Sequence, residues 1–343
     1  MLTRQNTALQ SFDFDEGAPY GHGNIVDVDS LIPLPADFRF AGGDTAPGEL
    51  RYRITGPENA PVIVALGGIS ADRNTTDSAD GTRGWWRDFA GTERIIDTRK
   101  FRVLSFDYIT PEADIRDNRI PAVSTLDQAQ ALASLLDTLD LATIRCFIGS
   151  SYGGMVGLAF AAAYPDRLEH LAVISAGDHP HPMGTAWRSI QRQTVLLGLR
   201  SGQGREALSL ARQLAMTTYR SHEEFAARFT GPADTENAFP VEGYLKAQGD
   251  KFIDRMPTKR FLMLSQSIDL HRVDASKVRM PVTLIASTSD QIVPPEQMQA
   301  LQQKIPAPCR LAEIHSVYGH DAFLKETDAI SPILKNTLEE LSA

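Results

Sequence analysis

Three things are scarce in this 343-residue chain, and each scarcity removes a class of protein. Cysteine occurs only at Cys146 and Cys309, with no Cys-x-x-Cys pair. These counts argue against a disulfide-stapled scaffold and a cysteine-ligated metal or redox motif, and two reduced thiols are expected. Positive charge is in deficit: 34 lysines and arginines face 43 aspartates and glutamates, for a net charge of −9. That balance argues against nucleic acid or an anionic membrane surface as partner, while a local basic pocket still suffices for a small anion. Long apolar runs are missing too. No stretch is long enough to span a bilayer, and Met1-Leu2-Thr3-Arg4-Gln5-Asn6 has no apolar signal core, so a cytoplasmic location is the default. There is no internal repeat or low-complexity tract.

What is present suits one large α/β domain with an insertion. Residues 1 to about 45 read as an irregular lead-in with an early strand. Leu50-Arg51-Tyr52-Arg53-Ile54 alternates apolar and polar, as an edge strand does. Val62-Ile63-Val64-Ala65-Leu66 is continuously apolar and ends in Gly67-Gly68, which predicts a strand buried on both faces. Further strands are predicted over Phe101–Phe106, Ile144–Ile148, Leu171–Ala176, Val282–Ala286 and Arg310–Ile314. Helices are predicted from Ser124 to Leu139, with Asp127 placed for a capping box, and from Tyr152 to Tyr164, stopped by Pro165. Pro295–Gln303 and Ile330–Leu341 complete the set. Between about 177 and 279 long amphipathic segments replace the alternation: Trp187–Leu199, Glu206–Thr218 and Phe261–Leu270. The expected organisation is a core domain from residues 1–176 and 280–343, with a mostly parallel sheet covered on both faces, and a helical lid inserted over 177–279.

The chemistry centres on Gly149-Ser150-Ser151-Tyr152-Gly153, a G-x-S-x-G pattern between a predicted strand and a predicted helix. In such a nucleophile elbow the serine sits on a strained turn, and small flanking residues let the backbone approach closely. An activated serine needs a base, and the base needs an orienting acid. Ser289-Asp290-Gln291 and Tyr318-Gly319-His320-Asp321 follow two later strands, in the order nucleophile, acid, histidine, on the same rim of the sheet. Alone, Asp290 before Pro294-Pro295 reads as well as a cap or turn residue, and His320 as a plain loop histidine. Together they give Ser151 as nucleophile, His320 as general base and Asp290 as orienting acid. The backbone N–H of Tyr152 and a donor from Leu66-Gly67-Gly68-Ile69, assigned to Leu66, are expected to form the oxyanion hole. His179-Pro180-His181 reads as plain loop and no metal site is expected. Asp72, Arg73, Asp77 and Asp80 read as a solvated polar loop.

With these residues placed, the chain resembles the homoserine O-acyltransferase family, α/β-hydrolase-fold enzymes of methionine biosynthesis. The resemblance is carried by Ala65-Leu66-Gly67-Gly68, Gly84-Trp85-Trp86, Ile96-Asp97-Thr98 and the elbow through Met155. It continues in Arg192-Gln193, Val241-Glu242-Gly243-Tyr244-Leu245, Lys251-Phe252, Ser289-Asp290 and Gly319-His320-Asp321-Ala322-Phe323-Leu324. It implies a ping-pong acyl transfer, acetyl or succinyl, from acyl-CoA as co-substrate to the hydroxyl of L-homoserine. No permanently bound cofactor and a homodimer through the lid are implied as well. Arg192 resembles the arginine that holds the substrate carboxylate, and Asp321 the carboxylate that holds its ammonium; on local evidence alone each reads as an ordinary surface, turn or cap residue. The chain departs from the family in a short segment over 107–123, in Val64 where a His is usual, and in Tyr152 where Met is common. These departures bear on the donor and the acceptor, and L-serine or simple ester hydrolysis remain alternatives on the same triad.

Overall fold

The computed structural model describes residues 25–115, 117–233 and 239–341. The lead-in expected over the first 24 residues lies outside the described residues. Ten strands run in chain order: β1 Ile25–Pro33, β2 Glu49–Pro57, β3 Val62–Leu66, β4 Ala90–Gly91, β5 Ile96–Asp97, β6 Arg102–Phe106, β7 Cys146–Ser150, β8 Leu171–Ile174, β9 Val282–Ser287 and β10 Cys309–Ile314. The helices are α1 Thr125–Thr138, α2 Tyr152–Ala163, α3 Pro182–Arg200, α4 Gly204–Tyr219, α5 His222–Arg228, α6 Pro240–Ile253, α7 Thr258–Leu270, α8 Pro295–Lys304, α9 Ala322–Lys325 and α10 Thr327–Glu340.

The main sheet has the order β1-β2-β6-β3-β7-β8-β9-β10. Its six strands from β6 to β10 are parallel, and β1 and β2 are antiparallel. Alternate residues of β3 feed opposite cores: Val62, Val64 and Leu66 meet α1 and α2, whereas Ile63 and Ala65 meet Trp86, Phe89 and α10. This two-sided burial is why the strand is apolar throughout. Ser124 closes the predicted capping box with Asp127, whose carboxylate also receives the N–H of Ala41. After β3 the chain steps to β6 on one side and returns to β7 on the other. The strand order therefore reverses between β3 and β7, and a crevice opens at their carboxyl ends.

The edge-strand expectation for Leu50–Ile54 is corrected. β2 lies inside the sheet between β1 and β6, and β1 is the edge. The polar position that suggested solvent, Arg53, is only 5 % exposed. Its Nε donates to Asp27 Oδ1 at 2.7 Å and its Nη1 to Asn74 Oδ1 at 2.9 Å, so a buried cation is matched by a carboxylate from β1. The solvated-loop expectation holds for Asp72, Asp77 and Asp80, which are exposed, and changes for Arg73. Arg73 clamps Asp29 of β1 (2.7 Å) and Asp107 after β6 (2.9 Å), while Asp77 accepts the Gly84 N–H.

Helices α3 to α7 lie between β8 and β9 in the chain, although the two strands are neighbours in the sheet. Val195, Leu208, Phe252, Phe261 and Leu262 give this insertion a core of its own, while Met263 and Leu264 of α7 join the main core. The predicted amphipathic segments fall within α3, α4 and α7; α5 and α6 are additions. Cys146 and Cys309 are free thiols, and burial pushes the Cys309 thiol up to about 11. Asp27→Asn leaves Arg53 buried without its counter-charge, which is expected to cost about 3 kcal/mol in urea unfolding with the sheet intact at low denaturant.

Candidate active site

The crevice at the carboxyl ends of β3 and β7 holds the serine. Ser151 joins β7 to α2 with φ 52° and ψ −120°, a conformation that a side chain adopts only where its surroundings impose it. Two anchors impose it here. Ser151 N donates to Ile174 O of β8 at 2.9 Å, and Gly153 N donates to Gly67 O, just past β3, at 2.9 Å. A Cβ on Gly153 would lie 2.2 Å from the Leu66 carbonyl oxygen, so only glycine fits this approach.

Asp290 and His320 arrive from the turns after β9 and β10. The Asp290 side chain is fully buried; its Oδ1 accepts the N–H groups of Ile292 (2.8 Å) and Val293 (3.0 Å). It is thus a turn-forming residue and an oriented acid at once. Its Oδ2 lies 2.7 Å from His320 Nδ1, and His320 Nε2 lies 2.8 Å from Ser151 Oγ. With Nδ1–H donating to the carboxylate, Nε2 is left to accept the serine proton. Gly319, at φ 58°, swings the histidine inward; a Cβ there would meet Tyr219 O at 2.5 Å. Burial alone would push the imidazole down, but the charge and hydrogen bond of Asp290 outweigh it and hold His320 above the ordinary histidine value.

Gly153 uses its N–H on Gly67, whereas Tyr152, first residue of α2, has no carbonyl one turn back to bond. The Tyr152 N–H therefore points free beside Ser151, with the end of β3 at Leu66 next to it. The Tyr152 side chain is buried, packed edge-on against Tyr108 at 4.8 Å and hydrogen-bonded to Ser267 of α7 at 2.7 Å. Tyr108 in turn donates to Gly67 O at 2.6 Å. The segment after β6 thereby holds the turn that follows β3.

The two charged residues singled out by resemblance lie near the triad but carry internal partners. Arg192 on α3 donates to Ser265 O (3.0 Å) and Oγ (3.1 Å) and ion-pairs with Asp269 at 2.6 Å; it is not part of the pocket wall. Arg188, one turn earlier, is in that wall and shares the same Asp269 at 2.6 Å. Asp321 is buried and ion-pairs with Arg220 at 3.0 Å. Sequence reasoning missed Arg188, although its spacing of four from Arg192 puts both on one helix face. It also missed Ser175, a buried pocket serine at φ 52° whose hydroxyl has no partner. His179-Pro180-His181 lines the pocket; His179 bonds Asp178 at 2.7 Å and His181 caps α3. Among the described residues no group of three His, Cys, Asp or Glu side chains could hold a metal ion. The free space at the centre is about 30 Å³, room for a water or two.

Known proteins share this fold. A family model described as alpha/beta hydrolase fold matches residues 61–327. The chain is 39 % identical to a homoserine O-succinyltransferase of Xanthomonas campestris pv. campestris, over 98 % of this chain and 89 % of that one. Among solved structures, esterase E22 superposes with a TM-score of 0.79 at 17 % identity, covering 91 % of this chain and 100 % of that chain. A homoserine O-acetyltransferase from Bacillus anthracis superposes with 0.78 at 18 % identity, covering 92 % and 97 %. The chain belongs to the α/β-hydrolase fold family. Within that fold its family is that of the homoserine O-acyltransferases.

With neutral His320 as the expected base, the acid limb of the kcat/KM profile is expected above about pH 6.5. Asp290→Asn should move that limb down and lower the rate by roughly 10³–10⁴. Gly153→Ala should destabilise the fold by about 3 kcal/mol in thermal unfolding.

Proposed function

We propose that this chain transfers an acyl group from acyl-CoA to the hydroxyl of L-homoserine, with Ser151 as nucleophile, His320 as general base and Asp290 as orienting acid. The observation that carries the acceptor half is charge of both signs around His320: the Asp321 carboxylate raises its affinity for protons and the Arg188 guanidinium lowers it. A pocket for neutral esters needs neither, whereas a zwitterionic amino alcohol matches both. The 39 % identity to a homoserine O-succinyltransferase supports the same reading.

In the mechanism, His320 Nε2 takes the Ser151 proton and Oγ attacks the thioester carbonyl. The oxyanion is met by the Tyr152 N–H and an N–H from Leu66. The C–S bond breaks, and the CoA sulfur leaves with the proton from His320. The homoserine hydroxyl then gives its proton to His320 and attacks the acyl-serine, and Ser151 departs reprotonated. Arg188, with Arg192 behind it, receives the acceptor carboxylate, and Asp321 faces the ammonium. Residues 177–279 act as the lid. In this reading the insertion keeps water from the acyl-enzyme. A homodimer through the lid is supported by an apolar stripe of Met183, Ile190 and Leu197, which are 50, 53 and 61 % exposed at heptad spacing along α3. A cytoplasmic location is in keeping with the proposed acyl-CoA donor.

The reading is tested by CoA release from succinyl-CoA and acetyl-CoA with and without L-homoserine or L-serine. Release should require an acceptor; equal release without one would identify a hydrolase. Mass spectrometry should find the acyl group on Ser151 and none in Ser151→Ala. Arg188→Ala should raise KM for the acceptor at least tenfold, about the worth of one charge-assisted contact.

A further inference from the structure

Two polar side chains in the pocket wall have no partner of their own. Ser175 and Gln191 are 1 and 3 % exposed, and both line the cavity that holds Ser151. The Ser175 hydroxyl meets no hydrogen-bond partner, and the Gln191 amide makes no hydrogen bond among the described residues. Their neighbours in the wall are committed elsewhere: Arg188 to Asp269, Thr218 to the Ala215 carbonyl and His179 to Asp178. A buried polar group left unpaired costs about 1–3 kcal/mol, so two of them on one cavity point to a ligand that completes both. Ser175 is also held at φ 52°, with its N–H on the Ile285 carbonyl at 3.0 Å. A strained backbone, and no side-chain contact, therefore presents its hydroxyl.

Position relative to Ser151 decides which part of the substrate they meet. Ser150 and Ile174 pair across β7 and β8, so Ser151 and Ser175, next in each strand, stand side by side at about the 4.8 Å strand spacing. The proposed oxyanion donors lie on the other side of Ser151, toward β3, and His320, which must reach the leaving sulfur, takes a third direction. The remaining substituent of the attacked carbonyl carbon is the acyl chain, and it points toward β8. We infer that Ser175 and Gln191 read the end of that chain and select an acyl donor with a terminal carboxylate over an alkyl one. The inference rests on the acyl-transfer reading above and names its donor. A serine O–H and a glutamine N–H both donate to carboxylate oxygens, and Arg188 in the same wall gives the anion a nearby positive charge. Met155, Ile292 and Val293 supply apolar surface for the methylenes. A methyl end would leave both donors unpaired, and sites built to hydrogen-bond a substrate discriminate steeply against an analogue that lacks the group.

The test compares succinyl-CoA, acetyl-CoA and butyryl-CoA, the last with the same four-carbon chain ending in methyl, by CoA release in the wild-type chain, Ser175→Ala and Gln191→Leu. The wild type should favour succinyl-CoA over butyryl-CoA by about a hundredfold in kcat/KM, and this ratio should fall about tenfold in each variant, the worth of one hydrogen bond to a charged group. Gln191→Leu keeps the side-chain size, so it carries the test should Ser175→Ala not fold. A merely structural loss lowers all donors together and leaves the ratio where it was. A ratio unmoved by the substitutions, or a wild type that uses acetyl-CoA or butyryl-CoA at least as well as succinyl-CoA, overturns the assignment and leaves the transferase reading standing. A wild-type chain that forms no acyl-Ser151 from any of the three overturns both.

Discussion

Everything at the active site depends on one close approach of two backbones. The first turn of α2 lies so near the end of β3 that Gly153 bonds the Gly67 carbonyl and has no room for a side chain beside the Leu66 oxygen. This contact fixes the serine turn to the strand on one side, as the bond from Ser151 N to Ile174 fixes it to the strand on the other. The strain of a serine at positive φ is thus held by neighbours on both sides of the crevice where the sheet changes direction. The same contact leaves the Tyr152 N–H as the uncommitted donor beside Ser151. Position of the nucleophile and position of the proposed oxyanion donors are consequences of a single packing constraint.

Tyr152 carries that constraint into the insertion. Its ring meets Tyr108, which holds the Gly67 carbonyl from below, and its hydroxyl meets Ser267 on α7. A methionine in this place would supply the packing and not the hydrogen bond. The elbow, the turn after β3 and the helix that roots the insertion are therefore tied together. Helix α7 gives residues to both cores, sharing the insertion's own core with α3, α4 and α6.

The legible part of this structure was written in local patterns. The apolar run of β3, the capping box of α1, the elbow, and the acid and histidine at successive strand ends each show in a few neighbouring residues. What escaped was non-local. Arg53 alternates like a solvent-facing residue, and only Asp27 on another strand and Asn74 on a loop make it an interior one. The resemblance singled out Arg192 and Asp321, yet their states are set by Asp269 and Arg220, which no motif around either residue reveals. Helices α5 and α6 escaped for a different reason: short or weakly amphipathic segments give little periodic signal.

The two internal ion-pair groups flanking His320 are not equivalent. Arg188 and Arg192 share the single carboxylate of Asp269, so that wall keeps one uncompensated positive charge. On the other side Arg220 and Arg228 are balanced by Glu224 and Asp321. A substrate carboxylate entering the first wall completes its charge balance and displaces nothing. A substrate ammonium entering the second competes with Arg220 for Asp321, in a buried site where removing a partner from a charge is costly. In the proposed mechanism the acceptor is consequently held first by its carboxylate, and the ammonium refines its orientation. The pairs also give three part-buried arginines, Arg188, Arg192 and Arg220, a carboxylate partner each. In the proposed mechanism a zwitterion's binding charges can thus be held near the triad with each ion matched by a partner.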